Sequence, residues 1–325
     1  MDSYFVAPLG IREFYNAMNR RDFIKSIGIA GALSFLPCRK SNAVSKKLTS
    51  VVPYFEAQKN VIRTPFGLCF DSRGFLFVTD LSLYRVFRLN DSLQPLDSFG
   101  IPGSAPGSFN YPKGIITDSN NLVYIVDSNN CRIQIFEPSG KLYKIVGAIG
   151  SIGGLFATPQ GICVGPRDRM LVADTRNHRI QIFQSFKLIS VIGELGDKND
   201  QFRLPTACQF GSDEAIWVLD SKHGLIKIFD KDGKFRSSFG GEGKEPGLLN
   251  APQGMILDPS GSLIVADTGN RRIQKFDESG KLLKIWELDE SGTPLFQTPT
   301  SVVQKDSALF VADSGKGMIV KLSAN

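Results

Sequence analysis

The sequence predicts an all-β fold, a six-bladed β-propeller with four-stranded antiparallel blades. The first observation is a sequence repeat, in which six prolines recur at intervals of 46 or 47 residues. A period of this length is typical of a repeat architecture. The second is a small residue two positions after each proline, and the third is an aspartate 14 or 15 residues after it. The prolines are Pro65, Pro112, Pro159, Pro205, Pro252 and Pro299, and the aspartates are Asp80, Asp127, Asp174, Asp220, Asp267 and Asp313.

Each repeat contains short apolar segments of strand length. In the second repeat we predict strands at Gly114 to Asp118, Leu122 to Asp127, Arg132 to Phe136 and Lys141 to Val146, separated by turns rich in Ser, Asn, Pro and Gly. Four strands in roughly 40 to 50 residues are typical of a propeller blade. We therefore place six blades within residues 65–325, with starts near residues 65, 112, 159, 205, 252 and 299.

The sixth repeat is one strand short. Its predicted strands are Thr300 to Val303, Ala308 to Ala312 and Met318 to Leu322. We expect residues 44–64 to supply the missing strand and a lead-in, with Leu48 to Phe55 as the closing strand. This pairing would join both ends of the ring and cover two free strand edges.

The first 43 residues resemble a twin-arginine export signal. Arg20 and Arg21 precede an aromatic residue and a lysine, and the apolar stretch Ser26 to Leu36 follows. Eleven such residues are too few to cross a bilayer, which needs about twenty. The resemblance implies export to the periplasm or cell surface, the twin-arginine translocase as a transient partner, and no membrane span in the mature chain.

Two alternatives remain open at this end of the chain. Cys38 could carry a lipid, although Pro37 stands where a lipoprotein signal has a small residue. Translation could begin at Met18 rather than Met1. We expect cleavage before Val44, because Ser41-Asn42-Ala43 fits a small-residue cleavage site.

Three segments resemble the signature of NHL repeats, namely residues 126–136, 173–183 and 266–276. The wider resemblance covers residues 65–322 and implies a propeller whose relatives bind proteins or RNA and occasionally act as enzymes. Four blades have Asp and Arg five residues apart, and we expect a charged hydrogen bond in each. These pairs are Asp80 with Arg85, Asp127 with Arg132, Asp174 with Arg179, and Asp267 with Arg272. The signature is broken at Leu83, His223, Lys316, Leu225 and Met318.

Charge and cysteine usage limit the functional classes. The net charge is +6, and residues 1–43 hold six basic and three acidic side chains, which leaves +3 for the rest. The remaining 32 basic and 29 acidic residues are interspersed along the chain, so we predict no nucleic-acid partner, and we expect a monomer. No CxxC pair is present among the cysteines after residue 43, and Cys69, Cys163 and Cys208, in equivalent apolar stretches of three repeats, are predicted as buried thiols, with disulfides as the alternative.

The residue directly after each proline should lie around the central opening. These residues vary where the framework repeats, which favours a binding surface, although a variable solvated rim would give the same pattern. We therefore predict a noncatalytic scaffold that binds a protein, peptide or glycan and needs no cofactor. The predicted ring is Phe66, Lys113, Gln160, Thr206, Gln253 and Thr300.

A second hypothesis is a hydrolase or lyase with a metal-assisted site at the channel mouth. The chain has two histidines, His178 and His223, and a catalytic zinc site normally takes three protein ligands. Glu194, Asp197 or Asp200, in the loop between the two histidine-bearing blades, could complete such a set. No catalytic residue can be assigned from the sequence.

Overall fold

The computed structural model describes residues 61–324, which form six antiparallel sheets arranged as the blades of a propeller. Blades 1 to 5 have four strands each, and blade 6 has three strands within these residues. The predicted all-β, six-bladed fold is confirmed. The export signal and the closing strand Leu48 to Phe55 lie outside the described residues. Between residues 61 and 324 no helix has the length and apolar character that crossing a bilayer requires.

The strands follow one another outward within each blade. The first three blades contain β1 (Pro65–Phe70), β2 (Leu76–Asp80), β3 (Arg85–Leu89) and β4 (Pro95–Phe99); β5 (Pro112–Thr117), β6 (Val123–Asp127), β7 (Arg132–Phe136) and β8 (Leu142–Val146); β9 (Ile162–Val164), β10 (Arg169–Asp174), β11 (Arg179–Gln184) and β12 (Lys187–Ile192). The last three contain β13 (Pro205–Phe210), β14 (Ile216–Asp220), β15 (Leu225–Phe229) and β16 (Phe235–Gly240); β17 (Gly254–Leu257), β18 (Leu263–Asp267), β19 (Arg272–Phe276) and β20 (Leu282–Trp286); β21 (Pro299–Lys305), β22 (Ala308–Asp313) and β23 (Met318–Ser323).

The proline and the small residue after it shape the innermost strand. Pro112 lies opposite Asp127 at the end of the second strand, and the register shifts directly after the proline. At Gly114 the inner strands of blades 2 and 3 come close, because its N–H donates to Gln160 O at 3.0 Å. A Cβ on Gly114 would lie 2.4 Å from that oxygen, so this position accepts no larger side chain. The crowding explains the repeated small residue.

The core lies between neighbouring blades rather than inside one sheet. A bulky apolar residue three positions before each proline is at most 1% exposed and fills the blade interface, which stabilises the ring by about 2 kcal/mol for each such side chain. Ile62 contacts the cluster that contains Leu76 of blade 1 and Phe310 of blade 6, so it connects the first and last blades. The six residues are Ile62, Phe109, Phe156, Phe202, Leu249 and Phe296.

Candidate functional site

The strand register defines two faces of the propeller. Each inner strand begins beside the end of the second strand, as in the Pro65–Asp80 pair, so two sets of turns emerge together. We call this side the mouth face. It consists of the entries to the inner strands (63–66, 110–113, 157–160, 203–206, 250–253, 297–300) and the turns between second and third strands (81–84, 128–131, 175–178, 221–224, 268–271, 314–317).

The turns at the other end of the strands form the opposite face. They are the turns between first and second strands (71–75, 118–122, 165–168, 211–215, 258–262, 306–307) and between third and fourth strands (90–94, 137–141, 185–186, 230–234, 277–281).

Charge is distributed unequally between the two faces. The mouth-face segments contain seven Lys and Arg residues and no Asp or Glu, whereas the opposite-face segments contain six Lys and Arg and 13 Asp and Glu. The entries and turns around the opening are therefore cationic, and the turns at the other end of the strands are mainly acidic. The loops between blades also emerge at the mouth end, and those of blades 4 to 6 add eight Asp and Glu and two Lys outside the cationic turns. The mouth cations are Arg63, Lys113, Arg176, Arg203, Lys222, Arg271 and Lys316.

Five of the seven mouth cations have no hydrogen-bonded or acidic partner among the described residues. The other two are engaged: Arg203 Nε lies 2.5 Å from Asp197 Oδ1, and Lys316 Nζ donates to Leu295 O at 2.7 Å. The five unpaired side chains can therefore bind an anion without first breaking an internal contact. They are Arg63, Lys113, Arg176, Lys222 and Arg271.

The predicted ring surrounds a central channel of about 470 Å³, and its members differ in role. Phe66, Gln160 and Gln253 line the channel. Thr206 and Thr300 also border it, but both are buried. The Thr206 hydroxyl donates to Pro252 O at 3.1 Å, and the Thr300 hydroxyl donates to Phe66 O at 2.9 Å. These two threonines therefore border the opening and connect inner strands of adjacent blades through their hydroxyls.

Lys113 is the most unusual member of the ring. Its ammonium lies 5.4 Å from the centroid of the Phe66 ring. Burial, followed by the positive charge of Arg176, lowers the pKa of Lys113 from 10.5 to about 8. Gln160 lines the channel, and its Oε1 is buried and accepts no hydrogen bond from a described residue. The mouth thus combines an uncompensated cation with an unsatisfied amide.

Beneath the mouth face, the repeated aspartates are completely buried. In blade 3, Asp174 Oδ2 accepts hydrogen bonds from Asn177 Nδ2 (2.8 Å), Arg179 Nε (2.8 Å) and Gln181 Nε2 (2.9 Å), and Oδ1 accepts from Ala157 N (2.7 Å). Blades 2 and 5 repeat this network around Asp127 and Asp267 at nearly identical distances. The sequence prediction named the arginines of these three pairs but assigned no role to the glutamines.

The glutamines and arginines of these networks also form hydrogen bonds to the loops between blades, which precede the entries to the inner strands. Gln181 accepts from Gly154 N at 2.8 Å through Oε1, and Arg179 Nη2 donates to Ile152 O and Leu155 O, both at 2.9 Å. A single buried carboxylate therefore organises one turn and one loop of the mouth face. Such a network is stable because every polar group in it has a partner.

The fourth predicted pair, Asp80 with Arg85, does not form. The Asp80 oxygens accept from Arg63 N (2.6 Å), Thr64 N (2.9 Å), and the backbone of Ser82 and Leu83 (both 3.0 Å). With these donors in place Asp80 needs no guanidinium, and Arg85 instead donates to Ser98 Oγ at 3.3 Å. The broken signature in blade 1 thus coincides with backbone capping of the carboxylate.

The two histidines do not form a metal site with the predicted acids. Both ring nitrogens of His223 bind carboxylates, with Nδ1 2.7 Å from Asp220 Oδ2 and Nε2 2.9 Å from Asp197 Oδ1. His178 Nδ1 accepts from Leu204 N at 3.1 Å, and burial together with Arg203 lowers its pKa. Glu194 accepts from Gln201. Between residues 61 and 324 no group of three or more His, Cys, Asp or Glu side chains could hold a metal ion.

The four cysteines of the described part are buried free thiols. Burial raises the pKa of Cys163 to about 11 and raises the pKa of Cys69 and Cys208 above their ordinary value. The thiols of Cys69, Cys163 and Cys208 therefore stay protonated near neutral pH, so they are weak nucleophiles. They contribute packing to the blade interfaces.

Comparison with protein families gives matches to the NHL repeat model at residues 109–136, 156–183 and 249–276. Among curated proteins, protein brain tumor of Drosophila melanogaster is 30% identical over 130 residues, 39% of this chain and 12% of that protein. Human NHL repeat-containing protein 3 is 34% identical over 113 residues, 30% of this chain and 31% of that protein. The matched part therefore spans less than a third of either relative.

Solved structures with low sequence identity share the fold. A streptogramin B lyase structure aligns with a TM-score of 0.58 at 16% identity, covering 81% of this chain and 84% of that one. A Xanthomonas campestris gluconolactonase aligns with a TM-score of 0.61 at 15% identity, covering 81% and 86%. An auxiliary nutrient binding protein of Bacteroides thetaiotaomicron aligns with a TM-score of 0.61 at 13% identity, covering 81% and 69%. The described chain is therefore a six-bladed β-propeller in which blades 2, 3 and 5 match the NHL repeat model.

Proposed function

We propose that this propeller is a noncatalytic binding module whose mouth face receives an acidic segment of another protein. The observation that supports the proposal is the charge of the mouth face, where seven cations and no carboxylates occupy twelve turns and entries. Complementary charge steers association and favours the matching partner. A concave opening with convergent polar groups is also the usual form of a ligand site.

Lys113 is the centre of the proposed site. The half-buried Lys113 ammonium has lost hydration and contacts the Phe66 ring but no hydrogen-bond acceptor, so a carboxylate that enters the mouth would supply the missing acceptor. Arg176 lies close enough to lower the pKa of Lys113, and a ligand carboxylate would relieve this repulsion. The Gln160 and Gln253 amides beside the opening suit the peptide groups that accompany an acidic side chain.

The surroundings of the mouth favour a short acidic segment over a long polyanion. Basic and acidic residues are interspersed along the chain, but the entries and turns of the mouth face contain only cations, so these turns alone would attract a phosphate backbone. The outer loops of blades 4, 5 and 6 surround it with carboxylates that would repel an extended polyphosphate. These are Glu194, Asp197, Asp200, Glu242, Glu245, Glu287, Asp289 and Glu290, with Lys198 and Lys244 among them. A neutral glycan would gain nothing from the cations.

A charge-reversal experiment tests the proposal. A labelled peptide with a central run of Glu and Asp, flanked by neutral residues, is titrated with the full chain by fluorescence anisotropy. We expect Lys113→Glu with Arg176→Glu to weaken binding at least about tenfold, because close interfacial charge pairs contribute about 1.5 kcal/mol or more. The matched control reverses Lys231 and Lys234, two exposed lysines of the opposite face, and should leave the affinity unchanged.

The dependence of affinity on pH adds a second readout. The affinity should fall as pH rises through about 8, where Lys113 loses its proton, and Lys113→Arg should remove this dependence because guanidinium stays charged. A neutral peptide and a single-stranded oligonucleotide serve as comparisons. Tighter binding of the oligonucleotide, lost in the same variants, would assign the mouth to nucleic acid, and equal binding of the neutral peptide would overturn the proposal.

A further inference from the structure

We infer that the opposite face carries a second binding site, an aromatic pocket between blades 2 and 3 that takes an alkylammonium group. The pocket encloses about 220 Å³ and is bordered by three aromatic rings and two carboxylates. Its aromatic members are Tyr124, Tyr143 and Phe186, and its carboxylates are Asp118 and Asp168. This site is independent of the mouth face and would remain if the mouth bound nothing.

Two departures from the repeat build the pocket, and both lie in blade 3. The other four-stranded blades connect their third and fourth strands by five residues, whereas blade 3 uses the two residues Ser185 and Phe186. Their φ angles are +47° and +66°, in a region that favours Asn and Gly in such short turns. In the facing connection, Arg167 and Asp168 have φ angles of +59° and +56°. Ser185 N donates to Asp168 O at 3.1 Å, so the two turns are held together.

The aromatic rings form an open corner. The Tyr143 and Phe186 centroids are 6.5 Å apart with an interplanar angle of 52°, and Tyr124 stacks on Phe186 at 6.3 Å and 25°. Tyr124 is buried, whereas the Tyr143 side chain is 55% exposed although it is large and aromatic. An exposed ring beside an inward-facing pair gives a cation access to aromatic faces. The Lys144 ammonium, which does not border the pocket, already lies 4.7 Å from the Phe186 centroid.

The two carboxylates give the pocket a negative charge. Asp118 Oδ2 accepts from the Tyr124 hydroxyl at 3.1 Å, and burial reinforced by Asp118 raises the pKa of Tyr124, so the phenol remains a donor. Neither Asp118 nor Asp168 forms an ion pair with a described residue. Aromatic faces with unpaired carboxylates attract a cation that is weakly hydrated, and alkylated ammonium groups have this property. A metal ion would need a fuller set of oxygen ligands.

The test uses choline and its neutral isostere 3,3-dimethylbutanol, followed by NMR on the full chain. We expect choline to bind with a Kd on the order of 1 mM and the neutral isostere to show no saturable binding in the same range, because the attraction is to the charge. Tyr143→Ala should weaken choline binding at least about fivefold, and Asp168→Asn about threefold. Both positions are exposed, so these variants should fold.

Tyr111→Ala is the matched control, since Tyr111 is an exposed tyrosine of the mouth face, and choline binding should not change. A peptide containing trimethyl-lysine tests whether the bound alkylammonium group belongs to a protein side chain or to a small solute. If the peptide binds more tightly than choline, the ligand is a protein side chain. If it binds more weakly, the ligand is a small solute. Equal binding of the neutral isostere, or choline binding that survives Tyr143→Ala, would overturn the inference.

Discussion

Blades 2, 3 and 5 satisfy their buried aspartates mainly with side chains, whereas blades 1 and 6 rely on backbone N–H groups. Asp174 in blade 3 accepts from an asparagine, an arginine and a glutamine, but Asp313 in blade 6 accepts from four backbone groups, including Gln297 N (2.7 Å) and Thr298 N (2.8 Å). Blade 4 is intermediate, since His223 and Lys227 bind Asp220. The fold therefore requires a satisfied carboxylate rather than one particular set of donors.

The same division separates the blades that match the NHL repeat model from those that do not. The matched residues 109–136, 156–183 and 249–276 each contain the complete Asp, Asn, Arg and Gln set. Blades 1 and 4 have the same four-strand pairing without that set, and blade 6 pairs its three described strands in the same order without it. The sequence pattern of the repeat thus detects the Asp, Asn, Arg and Gln set that lies under the mouth face. A blade can form without this set when other donors bind the aspartate.

The largest effect should come from removing a network carboxylate. Asp174→Ala removes the shared acceptor of partly buried Arg179 and buried Gln181, and we expect the free energy of unfolding to fall by about 3 to 5 kcal/mol. Chemical denaturation followed by fluorescence measures this change. Asp232→Ala, at an exposed aspartate of the opposite face, should change stability by less than about 0.5 kcal/mol. A loss below about 1 kcal/mol in Asp174→Ala would show that the network is dispensable.

A smaller effect should distinguish a network blade from a backbone-capped blade. Arg132→Met in blade 2 removes the cation 2.8 Å from buried Asp127, and we expect a loss of about 2 kcal/mol. Arg85→Met in blade 1 alters the equivalent position, but Arg85 is exposed and does not bind Asp80, so the loss should stay below about 0.5 kcal/mol. Equal losses in parallel urea titrations would contradict the distinction.

The smallest effect should be a gain in stability at the mouth. Folding lowers the pKa of Lys113 from 10.5 to about 8, so the folded protein disfavours its ammonium form. Lys113→Met should therefore raise the free energy of unfolding at pH 7 by about 1 kcal/mol, after allowance for solvent screening.

The sign of this effect can be checked by repeating the measurement across pH. Between about pH 8 and 10.5 the unfolded chain binds the Lys113 proton more strongly than the folded chain. Wild-type stability should therefore rise with pH in this window, and the advantage of Lys113→Met should disappear above it. Lys316→Met, which removes a mouth lysine engaged with backbone carbonyls, should be no more stable than the wild type at any pH.

The sequence determined the architecture because propeller blades depend on local, periodic information. The 46 or 47 residue period, the small residue after each proline and the short apolar strands each reflect contacts within a blade or with the next blade. The predicted strand Arg132 to Phe136 agrees with β7 at both ends. Three of the four predicted Asp–Arg pairs are present for the same reason, since each joins residues on adjacent strands.

Only the tertiary structure decided the character of the two faces and the aromatic pocket. Arg63 and Arg271 lie far apart in the chain, and their placement on one face follows from closing the ring, a step that no local pattern encodes. The same holds for Tyr124 and Phe186, which meet because neighbouring blades pack face to face. Because the turns at the two ends of the strands differ in charge, a chain with nearly balanced charge forms a propeller with cationic turns around the opening and acidic turns at the opposite end.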